Sequence, residues 1–341
     1  MKANGMQKKK MTGNGFLLLI TIALFVVIYI AGMIIFADKG FAKPQMFLNL
    51  FVSNAGLLVI ACGLTIVMIT GGIDISVGSV TALVCMVLAD LMENKGVNTY
   101  VAVLVALLIG VAFGIVQGFL VSKLNIQPMV ATLILYTAGR GIAQLITNGQ
   151  ITYIRVDSFK MAGGYIGKCP IPTPIFFAII TVVIVYLILK KTALGLYIES
   201  VGINGKAARL VGLNSTMIKF LTYVICGVLA GIAGIVASSR IYSADANNIG
   251  LNLEMDAILA VALGGNFLGG GKFSLIGSVI GAYTIQALTT TLYAMNVKAD
   301  QLPVYKAIVV VIIVTLQSDV FKKYIANLKA KRSVAAEGGQ K

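Results

Sequence analysis

The chain has 341 residues, 58% of them hydrophobic and 11% charged, with 27 Lys+Arg against 12 Asp+Glu and a formal net charge of +15. Soluble domains carry about 25% charged residues, so this composition, with a mean hydropathy of +0.95, excludes a soluble enzyme and a disordered chain. With no His, and with Cys62, Cys85, Cys169 and Cys226 showing no CxxC spacing, no metal site or disulfide framework is expected.

A helix needs about 20 apolar residues to cross a bilayer. In chain order, the predicted spans are 16–36, 46–70, 74–92, 98–121, 127–147, 172–190, 217–238, 255–269, 274–296 and 303–318. The expectation is an all-α polytopic membrane protein of about ten transmembrane helices. One membrane domain occupies 16–319, between basic tails at 1–15 and 320–341. The first apolar run is too long for a signal-peptide core and lacks a small-residue cleavage site, so it reads as a retained span.

Basic residues set the orientation. Ten spans place both termini on one side, which then holds 17 Lys+Arg against 8 on the other; Arg140 and Lys306 fall within spans and complete the 27. Both termini are therefore expected in the cytoplasm. The positive charge follows from topology, and no nucleic acid is needed to explain it.

Two loops stand out. The longest cytoplasmic one, 191–216, contains a segment from Asn204 to Leu213, rich in Ala, Lys, Arg and Leu and bounded by Gly202 and Gly212. That pattern predicts a short helix lying on the cytoplasmic face. The outer loop near 148–171, with Pro170, Pro172 and Pro174 around its end, is expected to be irregular. There is also an internal echo: GGIDISVGSV (71–80) and GGKFSLIGSV (270–279) agree at five of ten positions, each at the entry to a span. A duplicated transporter core would produce it. So would the recurrence of Gly and Ser wherever helices break and pack closely.

Neither Gly-Lys pair, Gly205-Lys206-Ala207 or Gly271-Lys272-Phe273, has phosphate-loop spacing, so this chain is not expected to hydrolyse ATP. Charged residues within spans are functional candidates by default. Asp74 stands where the second span ends and the third begins; either it or Ser76 caps the new helix, or they touch substrate along the path. Arg140, in TAGRG, is either a snorkelling or paired arginine, with Asp256 a partner, or a donor to sugar hydroxyls. Lys306 reads as snorkelling. Mid-membrane acids are otherwise missing, which argues against coupling to an ion gradient.

At these residues the chain resembles a family, the permeases of bacterial ABC importers for ribose, xylose, arabinose, galactosides and related monosaccharides. GGIDISVGSV is similar to the family signature, with Gly71, Gly72 and Gly78 around Asp74, and SVGINGKAARLVGLN (200–214) is similar to its cytoplasmic coupling segment. The galactofuranose-type members resemble it most, through NIQPMVATLILYTAGRGIAQLITNGQ (125–150), KTALGLYIESVGIN (191–204) and SADANNIGLNLEMDAILAVALGG (243–265). The resemblance implies a multi-pass permease of the bacterial cytoplasmic membrane that forms the path for a monosaccharide. It implies a second permease chain, identical or homologous, a cytoplasmic ATPase carrying ATP and Mg²⁺, and an external sugar-binding protein; this chain binds no cofactor itself. Glu199, Gly202, Asn204, Ala207, Ala208, Arg209 and Gly212 would form the ATPase-coupling segment. An ion-coupled secondary sugar transporter is the alternative. An intramembrane enzyme, such as a lipid-linked glycosyltransferase, would need clustered acids that the spans lack.

Overall fold

The computed structural model describes residues 13–167, 169–267 and 269–317. The basic tails expected at 1–15 and 320–341 lie outside them, apart from residues 13–15. The helices are α1 (Gly13–Ile35), α2 (Pro44–Ile69), α3 (Val77–Ala89, continued by a π-helical turn over Asp90–Asn94), α4 (Thr99–Ser122), α5 (Pro128–Ile146) and α6 (Asp157–Gly163). They are followed by α7 (Thr173–Lys191), α8 (Ala193–Leu210), α9 (Ser215–Ile241), α10 (Leu253–Leu263), α11 (Leu275–Ala294) and α12 (Leu302–Gln317). Two short antiparallel strands, β1 (Thr152–Tyr153) and β2 (Ser243–Ala244), pair Thr152 with Ala244.

Helix starts follow ordinary local rules. Prolines occupy the first turns of α2, α5 and α7, where no backbone N–H is needed. Asn98 caps α4 by accepting from Tyr100 N at 2.9 Å, and Asn214 caps α9 by accepting from Met217 N at 3.0 Å.

Each predicted span is a helix here, and eight of the helices are long and apolar enough to cross a membrane. The other two are shorter. At 11 residues α10 is about 16 Å long, roughly half of a hydrocarbon core, and α12 has 16 residues. The outer loop near 148–171 is not wholly irregular: it contributes β1 and α6. The segment expected as a short helix at 204–213 belongs to a longer element that begins at Ala193.

The core is built around α2, α3 and α9, which are buried along most of their lengths, whereas α1 and α4 expose most of theirs. Close helix contact needs small residues where apolar side chains gain nothing by leaving lipid. Accordingly, Gly110 and Gly114 of α4 meet the backbone of α9 at Gly227 and Tyr223–Val224. Cys62, Cys85 and Cys226 are buried free thiols, as small core hydrophobes should be. One end of the bundle carries α8; the opposite end carries β1, β2 and α6.

Candidate functional site: two helix breaks above the α8 segment

Between α2 and α3 the chain leaves the helix at Thr70 and runs non-helically to Ser76. Gly71 turns it with φ +76°, which costs glycine little. Asp74 is 1% exposed, the deepest carboxylate among the described residues. Its Oδ1 accepts from Ser76 N at 2.9 Å, Ser76 Oγ at 2.8 Å and Gln117 Nε2 of α4 at 3.0 Å. Gln117 Nε2 also donates to Ser76 Oγ. The expected cap therefore takes a different form. Ser76 is the N-cap residue of α3, but its hydroxyl turns to Asp74 instead of the helix. Asp74 closes an Asx turn over the Ser76 N–H. Asp74 Oδ2, Gln117 Oε1 and Tyr223 OH are buried with no hydrogen-bond partner among the described residues. A Cβ on Gly72 would strike that Tyr223 hydroxyl.

A second break, between α10 and α11, runs over 264–274. There the buried Asn266 amide does the work: Nδ2 donates to Val261 O at 3.0 Å and Ser278 Oγ at 2.9 Å, and Oδ1 accepts from Ser274 N at 2.6 Å. Ser274 Oγ accepts from Gly277 N at 3.0 Å, an ordinary N-cap. The echoed sequences thus have the same local role, each opening a helix, and the fold puts them side by side. Gly271 N donates to Ile69 O at 2.9 Å, and Thr65 Oγ1 to Ser278 Oγ at 2.7 Å.

The α8 segment lies against this meeting point. Gly202 packs so closely on Ile69 O that any Cβ would collide with it, and a Cβ there would come within 3.1 Å of Gly271 N. Asn204 breaks α8 (φ −157°, ψ 96°) and caps its second half, accepting from Lys206 N at 3.1 Å and Ala207 N at 3.0 Å. The far end closes through Gly212 (φ +87°), with Leu213 N donating to Ala208 O and Gly212 N to Arg209 O, both at 3.0 Å, the paired bonds of a Schellman motif. Glycine bounds this short helix at the far end as expected; at the near end the stop is Asn204. Arg209 donates to Ser215 Oγ and Thr216 Oγ1 at the start of α9, so it ties α8 to α9. Ala208 is buried and Glu199 half-buried, while Lys206 and Ala207 are exposed. Ile203, Leu210 and Val211 expose large apolar surfaces beside them.

Arg140 is not paired with Asp256. Its Nη1 donates to Ala246 O at 2.8 Å and Ile249 O at 2.6 Å, holding the irregular segment that leads into α10. Both carbonyls, which lie in backbone outside any helix or sheet, are thereby satisfied within the protein. Arg140 Nε and Nη2 have no hydrogen-bond partner among the described residues, although the guanidinium lies 5.7 Å from the centre of the Tyr136 ring. Asp256 instead pairs with Lys306 at 2.6 Å. Lys306 is 8% exposed, so it does not snorkel. Nor is the interior free of acids beyond Asp74: Glu254 is 3% exposed, packed beside Gly78.

Gln117, Tyr223 and Asn266 were missed from sequence. Gln117 alone carried a signal, as the one amide in the apolar α4 run. Among the described residues no group of three or more His, Cys, Asp or Glu is placed to hold a metal ion.

The family model described as "Branched-chain amino acid transport system / permease component" matches residues 46–316. The chain is 43% identical to the galactofuranose transporter permease protein YtfT of Escherichia coli over 293 residues, covering 86% of this chain and 84% of that one. It is 41% identical to the fructose import permease protein FruF of Bifidobacterium longum over 307 residues, 87% of this chain and 84% of that one. To the ribose import permease protein RbsC of Escherichia coli it is 35% identical over 300 residues, 87% and 92% respectively. No solved structure matches it.

Proposed function

The chain belongs to this family of transport permeases, and from that premise we propose that it is the membrane-spanning subunit of an ATP-driven importer for a monosaccharide of the galactofuranose, ribose or fructose kind. The observation that carries the coupling part of this reading is the seat of Gly202 against Ile69 and Gly271, beneath both helix breaks. A push on α8 from a cytoplasmic ATPase holding ATP and Mg²⁺ bears on the two breaks at once. The exposed Lys206, Ala207, Ile203, Leu210 and Val211 form the mixed basic and apolar face such a partner needs, and Asn204, Arg209 and Gly212 hold that face in shape. Asp74 and Ser76 border the path at the first break, and Arg140 borders it at the irregular segment before α10, where it keeps the Ala246 and Ile249 carbonyls satisfied while the helices shift.

In this reading the protein is a multi-pass protein of the bacterial cytoplasmic membrane, with α8 and both termini in the cytoplasm. It is not itself an enzyme and binds no cofactor. A second permease chain, identical or homologous, completes the path, and an external binding protein delivers the sugar; lipids surround the rest. Where α10 is too short to cross, the dipping segment held by Arg140 completes the tenth passage.

The test is reconstitution in sealed vesicles. The purified chain should hydrolyse no ATP, and the chain with its ATPase should hydrolyse it faster when loaded binding protein is added. A cysteine at Lys206 should be labelled only from the cytoplasmic side and one at Asn247 only from outside. Uptake by the lone chain driven by an ion gradient, or ATPase activity intrinsic to it, overturns the reading.

A further inference from the structure

Away from the breaks, α10, α11 and α12 enclose a cleft of ≈ 670 Å³, within the range of about 300–1,000 Å³ typical of small-molecule sites. Its walls carry the Asp256–Lys306 pair together with Asn252, Thr289, Met255 and Tyr293. We propose that this cleft is a binding subsite for a neutral sugar on its way through the membrane, with Asp256 and Lys306 as its hydrogen-bonding pair. The proposal rests on the importer reading above.

Stability does not account for the pair. A buried ion pair replaced by apolar side chains is often neutral or stabilising, because removing two charges from water offsets their attraction. Two charges on membrane helices are therefore a functional feature by default. Lys306 is 8% exposed and spends one of its three protons on Asp256 Oδ2, at 2.6 Å. The remaining ammonium protons and the second carboxylate oxygen offer donors and an acceptor at one place. The Asn252 side chain, at the start of α10, makes no cap bond, so its amide adds both kinds. Thr289 Oγ1 donates to Ile285 O at 2.8 Å and keeps lone pairs for a hydroxyl donor.

The other walls suit the rest of a sugar. A pyranose or furanose has apolar C–H faces and a rim of hydroxyls, and the half-exposed Tyr293 and Met255 supply apolar surface. The pair is neutral as a unit, so a net anion or cation entering the cleft would gain one partner and be repelled by the other. An uncharged polyol meets no such conflict.

The cleft is also joined to the breaks. Gly250 (φ +67°) and Glu254, which precede and begin α10, pack directly on Gly78 in the first turn of α3. The α10 wall bearing Asn252, Met255 and Asp256 thus leans on α3, which follows the Gly71–Ser76 break, and that break's α2 end rests on Gly202. A movement of α8 has a continuous packed route to the cleft wall.

Cells lacking the native copy, complemented with the wild-type chain and its own ATPase and binding protein, give baseline uptake of radiolabelled galactofuranose, ribose and fructose. A wild type that takes up none of the three fails the importer reading, visibly before any variant is made, and the subsite fails with it. Asp256→Asn and Lys306→Gln should each lower uptake at least about tenfold, the worth of one charge-assisted hydrogen bond. The exchanged variant, Asp256→Lys with Lys306→Asp, restores the helix tie while transposing donors and acceptors. Its membrane level and melting temperature should return toward wild type while uptake stays at least about tenfold down. Uptake that recovers together with the fold makes the pair a tie between helices only and overturns the proposal. Independently, a cysteine at Met255 in the wild-type complex is labelled with a membrane-impermeant maleimide. Sugar at half-saturation should slow labelling about twofold, because half the clefts are then occupied. A rate indifferent to sugar overturns the proposal, as does a cysteine already shielded without sugar, which marks lipid or a second copy in the cleft. Slowing by leucine but not by sugar would assign the cleft to a zwitterion and equally overturn it.

Discussion

The two helix breaks start from similar sequences, GGIDISVGSV and GGKFSLIGSV, yet satisfy their buried backbone by different chemistry. The α2–α3 break relies on a carboxylate with three N–H and O–H donors on one oxygen and none on the other, the Cys226 thiol being the further polar group beside it. The α10–α11 break relies on a neutral amide whose donor and acceptor ends are both engaged. A fully used amide is a good fastener in a low-dielectric interior, because nothing is left unpaired. A buried carboxylate whose second oxygen receives no N–H or O–H donor is a poorer one. That oxygen lies in the break beside Gln117 and Tyr223, whose own Oε1 and hydroxyl are likewise without hydrogen-bond partners among the described residues.

The largest expected effect tests whether the breaks act together. Gly202→Val places side-chain atoms inside the contact with Ile69 O. It should abolish sugar uptake and binding-protein-stimulated ATPase activity while the chain still inserts, at an overpacking cost of about 1–3 kcal/mol. Uptake near wild type would mean that the seat of α8 beneath the breaks is incidental.

Exchanging the two polar anchors sharpens the contrast. Asn266→Asp turns a donor into an acceptor facing Val261 O and Ser278 Oγ and buries an unpaired charge, so it should cost about 3–5 kcal/mol in a detergent unfolding curve. Asp74→Asn keeps an oxygen for all three donors and removes a buried charge, so the fold should change by no more than about 1 kcal/mol. Transport should fall nonetheless if the break moves. Equal losses of stability from both substitutions would erase the distinction between them.

The smallest effect belongs to a pair remote from both breaks. On α6 the Lys160 ammonium, hydrogen-bonded to Asp157 at 2.7 Å, holds that carboxyl below its ordinary value. A depressed carboxylate contributes stability above its unfolded pKa of about 3.9 and loses it as pH falls through the folded value. Asp157 is fully exposed, so water screens the pair. Melting temperatures of Asp157→Asn and wild type should coincide at pH 7 and at pH 3. A wild-type advantage at pH 7 that vanishes at pH 3 would show surface pairs at the sheet end mattering as much as the buried anchors.

Much of this was legible because lipid imposes a blunt rule on sequence. Every predicted span became a helix, and Gly212 and Pro128 ended or opened helices where their backbone preferences required. What escaped was pairing. Arg140 and Asp256 look like partners along the chain, since each is a lone charge in or near a span. In space Arg140 finds carbonyls at 246 and 249, and Asp256 finds Lys306, 50 residues away. Gln117 and Tyr223 carry no local sign of meeting residues 72–76, because that contact depends on how α4 and α9 pack.

By itself, then, the sequence determined the class of solvent, the helical segments and the places where helices stop, since hydropathy, Pro, Gly and Asn act within a few residues of themselves. Tertiary structure alone decided the length of α10, the partner of each buried charge and the seat of Gly202 under two distant breaks. Those outcomes depend on which surfaces approach across the bundle. In a chain this apolar many pairings bury similar area, and only close packing of backbones and the need to satisfy each buried polar group choose among them.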